Sequence, residues 1–237
     1  MKRLILIHGD KGGTGKSHTA HLTAAAYRAA GQPLLLIDGD AKNPGLHRAF
    51  NFKPDEVLRI NVRKPEGVDQ LCEAFLATPG DVLVDLPAGG SDMTVRLVGG
   101  GSAEGAVDVE SLFAEIGAKL TILFVIDQGR DSVVALNQEL QLMPRSVTDW
   151  IIVRNNRLED APFMRFEKWS GQVDLGRAAI LDMPRLDRKV IEVMIDAKAN
   201  LAELSALETA SALLKMRGQA ALRLWSAELR KAGLLNG

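Results

Sequence analysis

Short apolar runs recur along the chain, separated by stretches of helical period. The runs at residues 3–7, 33–37, 57–62, 81–84, 120–126, 149–153 and 178–181 have the length of strands. Several are continuous rather than alternating, the pattern of a parallel sheet covered on both faces. Between and after them, residues 16–30, 68–77, 107–117, 131–143, 186–198, 199–216 and 219–232 carry apolar positions at helical spacing. Strands alternating with helices predict right-handed crossovers and an α/β fold, a doubly wound, mostly parallel sheet with helices on both faces. Ligands of such a sheet bind beyond the carboxyl ends of its strands. Residues 88–105 are glycine-rich, with little apolar period, and read as a long loop.

At 237 residues the chain suits one sizeable domain spanning 1–237, closed by carboxyl-terminal helices over 199–237. A net charge of −1 gives no global field toward nucleic acid or anionic lipid, so any such surface is local. The single cysteine, Cys72, excludes a disulfide within the chain and reads as a small buried apolar residue. No leader-like segment or bilayer-length apolar stretch is visible, so the cytoplasm is the expected compartment. His8, His18, His21 and His47 show no metal-site spacing.

The most informative segment lies between the first strand and the first helix, Gly9-Asp-Lys-Gly-Gly-Thr-Gly-Lys-Ser17. Glycines let a backbone turn tightly and aim successive N–H groups at phosphate oxygens, and the following helix adds its positive end. Gly12, Gly13, Thr14 and Gly15 form this cradle. Lys16 is expected to reach the β- and γ-phosphates, Ser17 to bind Mg²⁺, and His18 to offer its backbone N–H. Two departures from the ordinary loop stand out: Asp10 where a glycine is usual, and a second lysine, Lys11.

Read as Lys-Gly-Gly-x-Gly-Lys-Ser, the segment resembles the deviant Walker A motif of the ParA/MinD family of P-loop ATPases. The resemblance implies ATP and Mg²⁺ as cofactors, and a homodimer that closes face to face around two ATP molecules. Lys11 then contacts the partner subunit's nucleotide. Leu34-Leu-Leu-Ile-Asp-Gly-Asp40 resembles the family's switch I, which assigns Asp38 to the metal and loop and Asp40 to the attacking water. Its continuation Ala41-Lys-Asn-Pro-Gly45 departs from the family pattern. Asp81-Val-Leu-Val-Asp-Leu-Pro-Ala-Gly89 resembles Walker B with switch II, where Asp85 holds Mg²⁺ through a water. At the end of Trp150-Ile-Ile-Val-Arg-Asn-Asn156 the family places an adenine-binding Asn, here Asn155 in preference to Asn156, with an Asn-Asn turn as the alternative. Met183-Pro-Arg185 resembles a segment near the base.

Absences narrow the branch. There is no cysteine pair for a cluster, Tyr27 is the sole tyrosine, and the chain opens on its first strand, so no leading helix-turn-helix is expected. A small ParA-like ATPase remains, slowly hydrolysing and stimulated by an unidentified protein, serving partition, positioning or transfer of plasmid DNA or other cargo. From Ser211 onward five cations face one carboxylate, a net of +4, while Leu222, Trp225 and Leu229 recur at helical spacing. That helix is expected first to dock on its own domain, next to meet DNA without sequence preference through Arg223, Arg230 and Lys231, and last to lie on a membrane. Two other classes compete: a metabolic P-loop ligase or kinase of the dethiobiotin or cobyrinate synthase type, and an ATP-gated adaptor with negligible hydrolysis.

Overall fold

Residue parity within the strands sets the layers. In β1 (Arg3–His8), Ile5 and Ile7 enter one apolar core, Leu4 and Leu6 the other. A computed structural model describes residues 1–9, 11–40, 45–46, 56–89, 109–142, 148–158 and 161–236. The strands β2 (Leu34–Asp38), β3 (Val57–Arg59), β4 (Asp81–Asp85), β5 (Lys119–Ile126), β6 (Thr148–Arg154) and β7 (Ala179–Asp182) join β1 in a seven-stranded sheet of order β3-β2-β4-β1-β5-β6-β7. Every pairing is parallel. The direction of progression reverses at β1, which lies between β4 and β5, so the crevice opens where the loop after β1 emerges.

Helices α1 (Lys16–Ala29), α6 (Arg188–Asp196) and α7 (Ala212–Lys231) supply the core on the Ile5 side. Helices α2 (Pro65–Ala77), α3 (Val109–Glu115), α4 (Arg130–Leu142) and α5 (Met164–Ser170) supply the Leu4 side, where Phe75 stacks on Phe113. Half-buried Cys72 packs against this second core from α2.

The structure corrects several boundaries. The third strand stops at Arg59 because Asn61 opens a turn, its side chain accepting from the Arg63 N–H and its carbonyl from the Lys64 N–H. Helix α2 starts earlier than its apolar period, with Pro65 in the first turn where a missing N–H costs nothing. Helix α5 follows no long period and is anchored by buried Phe166. The expected helix over 199–216 is absent. Its first part makes turns and a 3-10 helix (Leu204–Ala206), with the Asn200 side chain accepting from the Ala202 N–H. Ser211 then caps a new helix by accepting from the Leu214 N–H, and α7 runs unbroken through Gly218 to Lys231. Gly218 is there for space: a Cβ would lie 2.1 Å from Leu204 Cδ2. The 88–105 loop beyond Gly89 and the start of the expected 107–117 helix lie outside the described residues.

The carboxyl-terminal helix is docked. Trp225 and Leu229 are fully buried, and the Trp225 indole N–H donates to Thr23 Oγ1 of α1 at 3.2 Å. Arg223, Arg230 and Lys231 remain on its outer side. Among the described residues no helix is long and apolar enough to cross a membrane.

Candidate nucleotide site

Strand β1 delivers the loop to the crevice, and α1 leaves it. Gly15 sits between them at φ 107°, a left-handed conformation that side chains avoid. A Cβ there would also lie 2.4 Å from Asn155 Nδ2, so the position requires glycine twice over. Lys16 is buried, and its ammonium donates to the Lys11 carbonyl at 2.8 Å. Buried Thr14 donates to the same carbonyl through Oγ1 at 3.3 Å. Gly12, Gly13, Gly15, Lys16, Ser17 and His18 line a cleft of about 370 Å³ together with Asp40, Asp85 and the segment Leu86, Pro87 and Ala88.

Parallel register brings the acidic groups there. Asp38 and Asp85 are paired residues on β2 and β4, both buried. Asp38 is fixed by backbone N–H groups, Asp40 donating to Oδ1 at 3.2 Å and Leu46 to Oδ2 at 3.1 Å. Asp85 is strained electrostatically. Burial, reinforced by Asp38 and Asp40, outweighs the Ser17 hydrogen bond and Lys16 and pushes its pKa up to about 7. Among the described residues no donor reaches its buried Oδ1. Residues 41–44, the departing part of switch I, lie outside the described residues. On the other side, exposed Arg63 donates to the Ala88 carbonyl at 2.6 Å and so ties the turn after β3 to the loop after Asp85.

Lys11 takes a different direction from Lys16. Its ammonium lies 3.5 Å from Asp131 Oδ2 at the start of α4. Neighbouring Asp127 directly follows β5. Its burial is outweighed by hydrogen bonds from the Ser132 hydroxyl and the Gly129 N–H, with Lys11 and Arg157 adding to them, so its carboxyl stays below the ordinary range.

A second cleft, about 590 Å³, adjoins the first through His18. Asn155 and Asn156 both line it, with Arg154, Arg157, Asp182 and Met183–Arg185. Asn155 donates to the Thr14 carbonyl at 2.7 Å, which joins this cleft to the phosphate loop. Asn156 accepts instead from Gln128 Nε2. Arg154 makes a two-pronged pair with Asp182 at 2.7 and 2.6 Å. Burial drives the His18 pKa down to about 4, so its imidazole is neutral at pH 7. His21, fully buried and lowered to about 3 by burial and by His18, accepts the Leu201 N–H at 3.2 Å.

Motif reading missed Arg63, Asp127, Asp131 and Arg157. One signal was present: the apolar run of β5 is followed at once by an Asp, much as β2 and β4 end in one.

The donor set suits a nucleotide with a magnesium ion. Asp85 offers an orphaned buried oxygen and Ser17 a hydroxyl, while Lys16 balances phosphate charge. Among the described residues no trio of His, Cys, Asp or Glu could hold a metal alone. Magnesium is commonly held by one or two carboxylates plus substrate phosphates.

No protein-family model matches the chain. Protein MobD of Acidithiobacillus ferrooxidans is 31% identical over 170 residues, 72% of this chain and 70% of MobD. Among solved structures, the cell division ATPase MinD of Pyrococcus furiosus superposes with a TM-score of 0.54 at 16% identity, over 98% of this chain and 99% of that one. ParA of pNOB8, solved bound to nonspecific DNA, gives 0.53 at 13% identity over 98% and 99%. A parallel sheet ordered around a two-lysine phosphate loop, with that MobD identity, places the chain in the MobD family, on the fold of the ParA/MinD-type P-loop ATPases.

Proposed function

We propose that the chain binds Mg·ATP in the joined clefts, closes on a second copy of itself around two nucleotides, and hydrolyses ATP slowly until a protein partner stimulates it. Its service is partition, positioning or transfer of plasmid DNA or another cargo. One observation carries this reading: Lys16, Ser17, Asp40 and Asp85 line one open cleft at the strand ends, with Asp38 paired beside Asp85 and Lys11 turned outward toward Asp131. In it the N–H groups of Gly12 to His18 hold phosphate oxygens, and Lys16 neutralises the β- and γ-phosphates. Ser17 and Asp85, steadied by Asp38, hold the metal, whose chemistry is to draw charge from the phosphate oxygens. Asp40 orients the attacking water. The Asn155 amide faces the adenine edge. Lys11 leaves Asp131 for the partner subunit's nucleotide on closure, exchanging an exposed ion pair worth under about 1 kcal/mol for phosphate contacts.

The decisive experiment is Asp40→Ala. Mg·ATP affinity is expected to stay within about threefold, because the phosphate contacts remain. Hydrolysis is expected to fall by roughly 10²-fold or more, as removal of a proton-handling or water-orienting group does. Light scattering should then show a dimer persisting with ATP and falling apart with ADP. Undiminished phosphate release, or a monomer in ATP, overturns the reading. Turnover that requires a small carboxylate would move the chain to the ligase class.

The pNOB8 ParA likeness and the outward cations of α7 favour DNA as the surface met by the ATP form. Neutralising Arg223, Arg230 and Lys231 together is expected to weaken duplex binding at least tenfold in ATP. Wild-type binding should fall steeply between low and moderate salt, since phosphate contacts release counterions. Gel shifts with ATP and with ADP check this, and no ATP-dependent shift at low salt removes DNA from the proposal.

A further inference from the structure

We propose that the groove between α6 and α7 docks an acidic amphipathic helix of a partner protein. The groove encloses about 680 Å³ and is lined by Leu186 and Ile191 on one side and Arg217, Ala220 and Leu224 of α7 on the other. One helical turn and more toward the start of α7, Leu213 and Met216 continue the same face. Leu213, Met216 and Leu224 are 56%, 64% and 63% exposed. A single exposed apolar side chain is ordinary, whereas a row of them on one helix face beside a groove marks an interaction surface.

Charge decides the occupant. Among the described residues three arginines, Arg185, Arg188 and Arg217, line the groove with one carboxylate, Asp187, and Glu192 stands beside Arg188 at the rim. The present pairs are short-range, Arg217 with Asp187 and Arg188 with Glu192, and they hold the guanidinium groups at the rim. Duplex DNA would satisfy the arginines but leave the leucine and methionine row facing phosphate. A second copy, meeting the same patch across a two-fold axis, would set arginine against arginine. A helix with apolar residues at i, i+4, i+7 and i+11 flanked by carboxylates satisfies both the row and the rim. The groove shares Pro184, Arg185, Leu186 and Ile191 with the cleft that holds Asn155, so its occupant rests on the back of that wall. The proposal does not depend on the nucleotide chemistry proposed above.

The test uses the whole chain and three labelled peptides of about 18 residues, five turns of helix. One carries Leu at that spacing with flanking Glu, one has Lys in place of each Glu, and one has Ser in place of each Leu. Anisotropy is expected to show binding of the acidic apolar peptide alone. The affinity should drop at least tenfold on Leu224→Asp or Arg188→Glu, and stay within twofold on Arg165→Glu, which lies exposed on α5 on the opposite side of the sheet. The milder Leu224→Ser and Met216→Gln should weaken binding in the same direction, and circular dichroism should match wild type throughout. Binding of the Lys or Ser peptide as tightly, or of none of them, overturns the proposal. So does duplex DNA binding that competes with the peptide and survives Leu224→Asp, or self-association that Leu224→Asp abolishes.

Discussion

Lys16→Ala is expected to lose Mg·ATP binding by roughly 10²- to 10³-fold while the fold stays intact. The ammonium is buried at the head of α1 and donates to the Lys11 carbonyl. A phosphate would take that donor over. Hydrogen bonds to charged groups are worth about 1.5–3 kcal/mol each, so two phosphate contacts amount to roughly 3–6 kcal/mol, and the expected loss takes the lower part of that range. The loop itself loses less, because Thr14 Oγ1 still reaches the Lys11 carbonyl. Titration calorimetry with Mg·ATP, together with an unfolding curve, separates the two effects. Wild-type affinity in the variant would remove Lys16 from the phosphates. Lys11→Ala provides the contrast. Its side chain lies toward Asp131 and not into its own cleft, so the monomer should bind ATP normally yet fail to dimerise.

The second large effect runs toward greater stability. Asp85→Asn is expected to raise the melting temperature of the nucleotide-free protein at pH 8 and to stop Mg²⁺-dependent hydrolysis. Burial, chiefly, lifts the Asp85 pKa from 3.8 to about 7. The folded state therefore keeps a proton that the unfolded chain has already released between about pH 4 and 7, and stability falls as pH rises through that window. Above it, the ionised carboxylate costs up to roughly 4 kcal/mol, since each pKa unit is about 1.4 kcal/mol. Asparagine keeps the shape and has no charge to bury. A gain of about 2–4 kcal/mol corresponds to on the order of 5–10 °C in a protein of this size. The difference should shrink toward zero at pH 4. A variant no more stable than wild type at pH 8 would mean that Asp85 is not strained as described.

The sheet was legible because continuous apolar runs have few alternatives to buried parallel strands, and all seven were found near their expected places. The phosphate loop was legible for the same local reason: its glycines, lysines and serine all fall within nine residues, Gly9 to Ser17. The carboxyl-terminal region was not. Residues 199–216 carry helical spacing, but Asn200 and Ser211 divert the backbone through side-chain hydrogen bonds, which compete with helix wherever they occur. Gly218 falls between the expected helices 199–216 and 219–232, yet its role is tertiary: it makes room for Leu204, 14 positions away. The counter-ions of Lys11 were hidden for a similar reason. Asp127 and Asp131 come to the loop only through pairing of β1 with β5, and nothing local marks them apart from an Asp directly after an apolar run.

Helix α1 has a mechanical consequence. Its first residues form the phosphate cradle, and farther along Thr23 receives the indole of Trp225 from α7. His21, two residues earlier, receives the Leu201 N–H from the segment leading into α7. The 14 residues of α1 make a rod about 21 Å long. A tilt of about 5° at its phosphate end swings the far end by nearly 2 Å, with α7 clamped alongside. The helix carrying both the outward cations and the apolar row is thus geared to the loop that grips the phosphates, and the layer on the opposite face of the sheet lies outside that gearing.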